Sequence, residues 1–125
     1  MTDLELTTHI HDILKDLGCP ISMVGFEYAT YAVKLMHKSP RRLAITKELY
    51  PAIAAQYNTT APRVERCIRT LVQTTLDRGS YADIHKVFGN VFRDKSGTIV
   101  NGDFLYGLKY ELERRIQEEK SPWSK

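Results

Sequence analysis

Apolar side chains return every three or four residues in six stretches of the chain, which is the spacing of helices with one buried face. These stretches predict helices over residues 3–17, 24 or 25 to 37, 45–57, 60–78, 80–88 and 101–119. Glycine and proline mark several of their ends, for example Gly18 and Pro20 after the first helix. Pro51 falls inside the third helix, where it should either kink the helix or mark its effective first turn.

The stretch from 90 to 100 has no clear periodicity. Two short apolar runs flank Asp-Lys-Ser-Gly and would allow a minor hairpin near residues 91–100, but an isolated two-stranded hairpin is marginal in water. We therefore expect an irregular loop here and an exposed or loosely packed Trp123 in the tail. The overall prediction is an all-α fold of six helices, forming a single domain over residues 1–125.

The third and fourth predicted helices are joined by a short polar turn within residues 46–74, TKELYPAIAAQYNTTAPRVERCIRTLVQT. Asn58 tolerates the left-handed conformation that a tight turn between helices requires. Thr59 and Thr60 offer a hydroxyl cap to the fourth helix, and Pro62 suits its first turn. Two short helices joined in this way are typical of a helix-turn-helix that binds DNA.

The fourth helix has an apolar stripe on one side and a polar side opposite it. The stripe comprises Val64, Cys67, Ile68, Leu71 and Val72. The polar side comprises the candidate base-reading residues Arg63, Glu65, Arg66, Arg69, Thr70 and Gln73. A guanidinium can donate two hydrogen bonds to guanine, and a carboxylate can accept one from cytosine. The alternative is a solvated helix face held by a Glu65–Arg69 pair one turn apart.

Charge is distributed unevenly along the chain. The formal net charge is +3, but nine basic residues and only three acidic ones lie between Lys34 and Arg78. A basic middle segment indicates a local surface for phosphates, with chance clustering as the alternative. The candidate phosphate-binding residues are Arg41, Arg42, Lys47, Thr59 and Thr60. The loop cations among them could equally serve only solubility.

Other classes of function find little support in the chain. No apolar run approaches the length of a membrane span and no signal peptide is recognisable, so we expect a cytoplasmic protein with no membrane partner. Cys19 and Cys67 form no metal-binding motif, and His9 and His11 face different ways on a helix. We therefore expect no metal and no cofactor. Nothing predicts an activated nucleophile, and we expect that the protein is not an enzyme.

The segments LYP, NTTA, RVER and the following Ile-Arg pair closely resemble the DNA-binding effector domain of the master sporulation response regulator of spore-forming Firmicutes. The resemblance extends more weakly to LGCPISMVGFEY near the front and to the Asn-x-x-Phe start of the last helix. It implies a six-helix domain that binds promoter boxes in double-stranded DNA, often as two domains in tandem. It also implies contact with RNA polymerase sigma subunits. The matching positions that read bases in the family are Arg63, Glu65, Arg66 and Arg69.

Three features depart from the family pattern. Pro62 stands where the family commonly has Ser, and Thr70 stands where it often has His. The family joins this domain to a phosphorylated receiver domain, and no receiver is present in the chain. This predicts either an excised domain or a stand-alone relative without control by phosphorylation.

Two functions follow as hypotheses. The first is a sequence-specific transcription regulator that reads promoter boxes in the major groove with helix 60–78. The alternative is a protein-interaction module, an adaptor or antagonist of a full-length relative, that keeps the fold without specific DNA readout. Its working surfaces would be the fifth and sixth helices.

Overall fold

Six α-helices and one π-helical turn make up the part of the chain that the structure describes. The structure is a computed structural model that describes residues 1–94 and 98–120, apart from the side chains of residues 90–94. The elements are α1 Asp3–Leu17, α2 Val24–Lys38, a π-turn Ile45–Leu49, α3 Tyr50–Gln56, α4 Ala61–Arg78, α5 Tyr81–Asp94 and α6 Asn101–Lys120. No strand occurs in the described ranges, and the predicted all-α, six-helix fold is confirmed.

The first helix begins and ends where its sequence predicts. The Thr2 hydroxyl accepts a hydrogen bond from the Glu5 N–H at 3.1 Å, and the Glu5 carboxylate accepts one from the Thr2 N–H at 2.9 Å. This reciprocal cap satisfies two of the N–H groups at the helix start. Gly18 ends the helix with φ of 91°, a left-handed conformation that favours glycine.

The third predicted helix is not continuous. Its first part, Ile45–Leu49, is wound as a π-helix, in which the Leu49 N–H bonds the Ala44 carbonyl at 3.0 Å. Regular α-helix begins only at Tyr50, so Pro51 lies in the first turn of α3. This is one of the two outcomes expected from the sequence. A proline ring inside an α-helix clashes with the carbonyl four residues earlier, and the wider turn before Pro51 relieves that conflict.

The fifth helix is longer than its sequence predicts. It runs to Asp94 across a break at Gly89, whose φ of 49° and ψ of −118° are not helical. The expectation of a loop or hairpin is therefore wrong for residues 91–94, because glycine turns the chain there and the helix then resumes. Residues 98–100 are irregular, as expected. Residues 95–97 and Trp123 lie outside the described residues.

One apolar cluster joins the helices. Its fully buried side chains include Leu14 of α1, Val33 of α2, Ile53 of α3, Ile68 of α4 and Leu108 of α6. Helix α4 packs on α2, α3 and α6, while α5 packs mainly on α6 and α1. The scaffold therefore holds α4 from one side and leaves its other side at the surface. Among the described residues, no helix has the length and apolar character needed to cross a membrane.

Candidate nucleic-acid interface

The turn between α3 and α4 has the conformation that its sequence predicts. Asn58 has φ of 53°, and it is the only non-glycine residue with positive φ in the described ranges. The Thr59 N–H bonds the Ala54 carbonyl at 2.9 Å and closes the turn. Of the two threonines expected to cap α4, Thr60 does so, since its hydroxyl accepts from the Arg63 N–H at 3.3 Å. The start of α4 is thus fixed by local contacts.

The apolar stripe of α4 faces the core. Val64, Ile68, Leu71 and Val72 are buried, as their spacing predicts, whereas Cys67 at the edge of the stripe is only partly buried. With this stripe seated on α2, α3 and α6, the remaining residues of the helix are directed outward.

The six candidate base-reading residues lie along the outward side of this one helix. We call them the α4 surface: Arg63, Glu65, Arg66, Arg69, Thr70 and Gln73. All are exposed except Glu65, which is half-buried. Because they belong to a single capped helix of 18 residues, their spacing along its axis is rigid.

Two of these residues are already paired with each other. Arg69 donates to the Glu65 carboxylate at 2.7 Å, one helical turn away, as expected for a solvated helix face. Their side chains are 53% and 38% exposed, so the pair adds little to stability. In this structure the guanidinium lies against the Glu65 carboxylate. The Thr70 hydroxyl donates to the Arg66 carbonyl at 3.0 Å and keeps its lone pairs free to accept.

Shallow depressions flank the α4 surface on both sides. Arg63, Arg66 and Thr70 border one that is closed on its far side by the start of α2, Met23–Gly25. Glu65, Arg69 and Gln73 border the other, whose far side is the segment from Thr98 to Asn101. The α4 surface therefore lies between two depressions, and its side chains are accessible from both sides.

The candidate phosphate-binding residues come from the start of α4, the π-turn and the loop before it. Thr59 and Thr60 lie at the start of α4, and Lys47 is exposed in the π-turn. Arg41 and Arg42, in the loop, each already have a partner. The Arg42 guanidinium stacks on the Tyr106 ring of α6, 3.8 Å from its centroid, and borders a depression formed by α5 and α6.

Arg41 is held by Glu48 of the π-turn. Its guanidinium contacts both carboxylate oxygens, with Nη1 3.0 Å from Oε1, and the Ala44 N–H donates to the same carboxylate at 2.8 Å. These contacts, led by the Arg41 hydrogen bond, lower the pKa of Glu48 to about 2. The carboxylate is therefore ionised at physiological pH, and it neutralises part of the charge that Arg41 would offer to a phosphate.

The model for the family described as "Sporulation initiation factor Spo0A C terminal" matches residues 10–112. This match runs from within α1 to within α6 and covers most of the chain. The chain belongs to this family. The Spo0A C-terminal family is that of the DNA-binding effector domain of a sporulation response regulator, so the resemblance in the sequence is confirmed. It is not a family of enzymes.

One contact at the interface could not be expected from the sequence. The side-chain amide of Asn101, the first residue of α6, donates to the Glu65 backbone carbonyl at 3.0 Å and to the Tyr50 hydroxyl at 3.1 Å. The sequence shows Asn101 only as part of the Asn-x-x-Phe start of a helix that this family shares. Its partners lie 36 and 51 residues away, beyond the reach of a periodicity argument.

Groups that could hold a metal are absent from the described part of the chain, where no three His, Cys, Asp or Glu side chains converge. The buried thiol of Cys19 lies 3.1 Å from the Thr75 hydroxyl. Burial raises its pKa to about 11, so it is neutral and suited to packing.

Proposed function

We propose that this member of the Spo0A C-terminal family is a sequence-specific transcription regulator that inserts α4 into the major groove of promoter boxes. The observation that carries the proposal is the α4 surface: three arginines and a glutamate project from one capped helix whose opposite side is locked into the core. Residues near the start of such a helix are the ones that reach base edges.

Each residue of the α4 surface has a chemical role in the proposal. Arg63, Arg66 and Arg69 donate to guanine O6 and N7, and Glu65 accepts from the cytosine amino group. Thr70 and Gln73 contribute further polar contacts. Arg is suited to this task because its planar fork of donors matches the two acceptors of guanine.

Phosphates flanking the groove are held by Thr59, Thr60 and Lys47, with Arg41 and Arg42 contributing the guanidinium donors that their present contacts do not use. The hydroxyl of Thr60 accepts from the Arg63 N–H and retains its own proton to donate to a phosphate oxygen. These contacts set orientation and strength of binding without selecting a sequence.

Further parts of the proposal rest on the family alone. Two copies bind tandem boxes on DNA, and an RNA polymerase sigma subunit is the partner in activation. That the chain forms one domain over residues 1–125 and works in the cytoplasm also stays a prediction.

The test is equilibrium binding to a duplex that contains the family's promoter box and to a scrambled duplex of equal length, across a salt series. We expect tighter binding to the box. Arg66→Ala should cost about 1–3 kcal/mol on the box and relax specificity at one base pair, whereas Lys47→Ala should weaken binding to both duplexes similarly. Lys86→Ala is the control, because it removes an equal charge from α5, which packs mainly on α1 and α6.

The outcomes separate the alternatives. Equal and steeply salt-dependent binding to both duplexes would leave only a phosphate-binding surface. Binding to neither would favour an interaction module. One observation supports that second candidate: a patch on α6 where Tyr110 is 55% exposed beside Tyr106 and Arg42. Aromatic and arginine side chains of this kind are enriched in protein–protein interfaces.

A further inference from the structure

Three helices meet at the side chain of Asn101. Its amide joins the first turn of α6 to the hydroxyl of Tyr50, where α3 begins, and to the backbone of Glu65 in α4. A backbone carbonyl oxygen can only accept a hydrogen bond, so the group facing Glu65 must be the NH2 of the amide. Both donors of that NH2 are used, one toward each helix of the helix-turn-helix.

The apolar contacts around Glu65 have less directional character. Val64, Ile68 and Leu71 are buried by apolar packing, whose strength depends on the buried area. A hydrogen bond weakens steeply with misalignment. The bond from Asn101 therefore adds a directional constraint on the rotation of α4 near Glu65, beyond the constraint that packing supplies.

The side chains of Glu65 and Arg69 project from this same part of α4. The same depression is lined by Asn101, Glu65 and Arg69, so the amide lies beside the two side chains whose direction it would control. Binding sites need their groups held within about 0.5 Å and 10–20° of the productive geometry. A small rotation of α4 would move both side chains off their base pair.

We infer that Asn101 is a positioning residue for base reading, which fixes the rotation of α4 so that Glu65 and Arg69 meet their base pairs. The inference rests on the proposed function and deepens it. Asn101 itself touches no DNA in this scheme. Tyr50 assists by accepting the second hydrogen bond and holding the amide in its orientation.

The experiment compares binding to the family's promoter box with binding to a set of duplexes that each change one base pair of it. Asn101→Leu keeps a similar shape and no charge but removes both donors. Tyr50→Phe removes one bond and leaves the bond to Glu65. The control is Tyr106→Phe, which removes a hydroxyl that donates to the Leu43 carbonyl at 2.9 Å, a contact that does not involve α4.

For Asn101→Leu we expect the Kd for the box to rise about tenfold. Discrimination should fall at the base pairs where Arg69→Ala loses it and also at those where Arg63→Ala loses it, because a rotation of one rigid helix displaces both side chains. The slope of log Kd against log salt should stay unchanged, because no phosphate contact is removed. Tyr50→Phe should show a smaller change at the same base pairs, and Tyr106→Phe should show none.

The remaining outcomes overturn the inference in distinguishable ways. If Asn101→Leu weakens binding to all duplexes by one factor, its role is only to stabilise the fold. If it leaves the Kd for every duplex at the wild-type value, the hydrogen bonds do not position α4. If the wild-type protein itself fails to discriminate the box from the changed duplexes, the proposed function is wrong, and the inference that rests on it is wrong as well.

Discussion

Gly25 of α2 lies against the backbone of Cys67 in α4. A Cβ atom at Gly25 would stand 2.5 Å from the Cys67 carbonyl oxygen and 3.1 Å from its carbonyl carbon. Real Cβ atoms do not approach backbone so closely, so only glycine allows the start of α2 to pack directly on the middle of α4. The position of the α4 surface therefore depends on a residue outside the helix-turn-helix.

Replacing Gly25 with Ala should lower the free energy of unfolding by about 1–3 kcal/mol, the usual cost of overpacking a tight contact. Denaturant unfolding measures this. Gly102→Ala is a matched control, since Gly102 is likewise the second residue of its helix. A Cβ there would meet only the Ile45 side chain at 3.6 Å, an ordinary contact. The control should be neutral or slightly stabilising, and an equal loss in both variants would contradict the steric explanation.

The cap of α4 predicts a second stability effect. Thr60→Ala removes the hydroxyl that accepts from the Arg63 N–H, and we expect a loss of about 1 kcal/mol in the free energy of unfolding. Thr8→Ala serves as the control, because the Thr8 hydroxyl lies within α1 and bonds the Leu4 carbonyl of its own helix. Ala is the better helix former there, so the control should lose nothing. A loss of similar size at Thr8 would mean that capping is not the cause.

The two cysteines should differ in reactivity toward an uncharged maleimide at pH 8. Cys67 is partly buried and should be labelled in the native protein. Cys19 is buried, and burial raises its pKa to about 11, so almost no reactive thiolate is present. Mass spectrometry of peptides from timed samples would show label on Cys67 first. Equal rates at both thiols would contradict the burial of Cys19 against Thr75 of α4.

The same labelling reaction reports on DNA binding. Cys67 borders a depression together with Arg63, Arg66 and Thr70, all of which belong to the α4 surface. A duplex with the promoter box should therefore slow the labelling of Cys67, and a scrambled duplex at the same concentration should slow it less. Unchanged labelling under saturating box duplex would place the DNA elsewhere on the protein.

The pair of Arg41 and Glu48 predicts a pH dependence. The pKa of Glu48 is lowered to about 2 in the folded protein. The pair therefore stabilises the fold fully at pH values above the ordinary pKa of glutamate. This stabilisation is lost as the pH falls through the pKa of the folded state. Wild type should thus be more stable than Glu48→Gln near pH 7. The difference should shrink between about pH 5 and pH 2.

Salt supplies the control for this measurement. The Glu48 carboxylate and Arg41 are near the surface, so 1 M salt should reduce the difference between wild type and Glu48→Gln at pH 7. A difference that is independent of both pH and salt would mean that Gln disturbs the π-turn by some other route than the loss of charge.

The elements that the sequence predicts well are those determined by neighbouring residues. The cap at Thr60, the left-handed turn at Asn58 and the buried stripe of α4 depend on spacings of a few residues, and all three are present. The α4 surface follows from the same periodicity, since the side opposite a buried stripe must face outward.

The features that the sequence did not reveal depend on contacts between distant segments or on small changes in helical winding. The bonds from Asn101 to Tyr50 and Glu65 and the approach of Gly25 to Cys67 exist only once the helices have packed. The π-turn before Pro51 changes the winding of the helix too little for periodicity to distinguish it from a straight helix. The resumption of α5 after Gly89 falls in a stretch whose sequence has no clear periodicity.

In the pair between Glu65 and Arg69, the Glu65 carboxylate accepts a hydrogen bond from a donor that DNA could otherwise use. A phosphate at an arbitrary site that binds the other donors of Arg69 comes to lie beside the Glu65 carboxylate, which is another anion. A guanine–cytosine pair offers acceptors to the arginine and a donor to the glutamate at once, so both partners are replaced together. Under the proposed function, most wrong sequences meet a surface that is partly neutralised by its own carboxylate. Discrimination between DNA sequences would then depend as much on the unfavourable position of the Glu65 carboxylate at wrong sites as on the hydrogen bonds of Arg69 at the correct one.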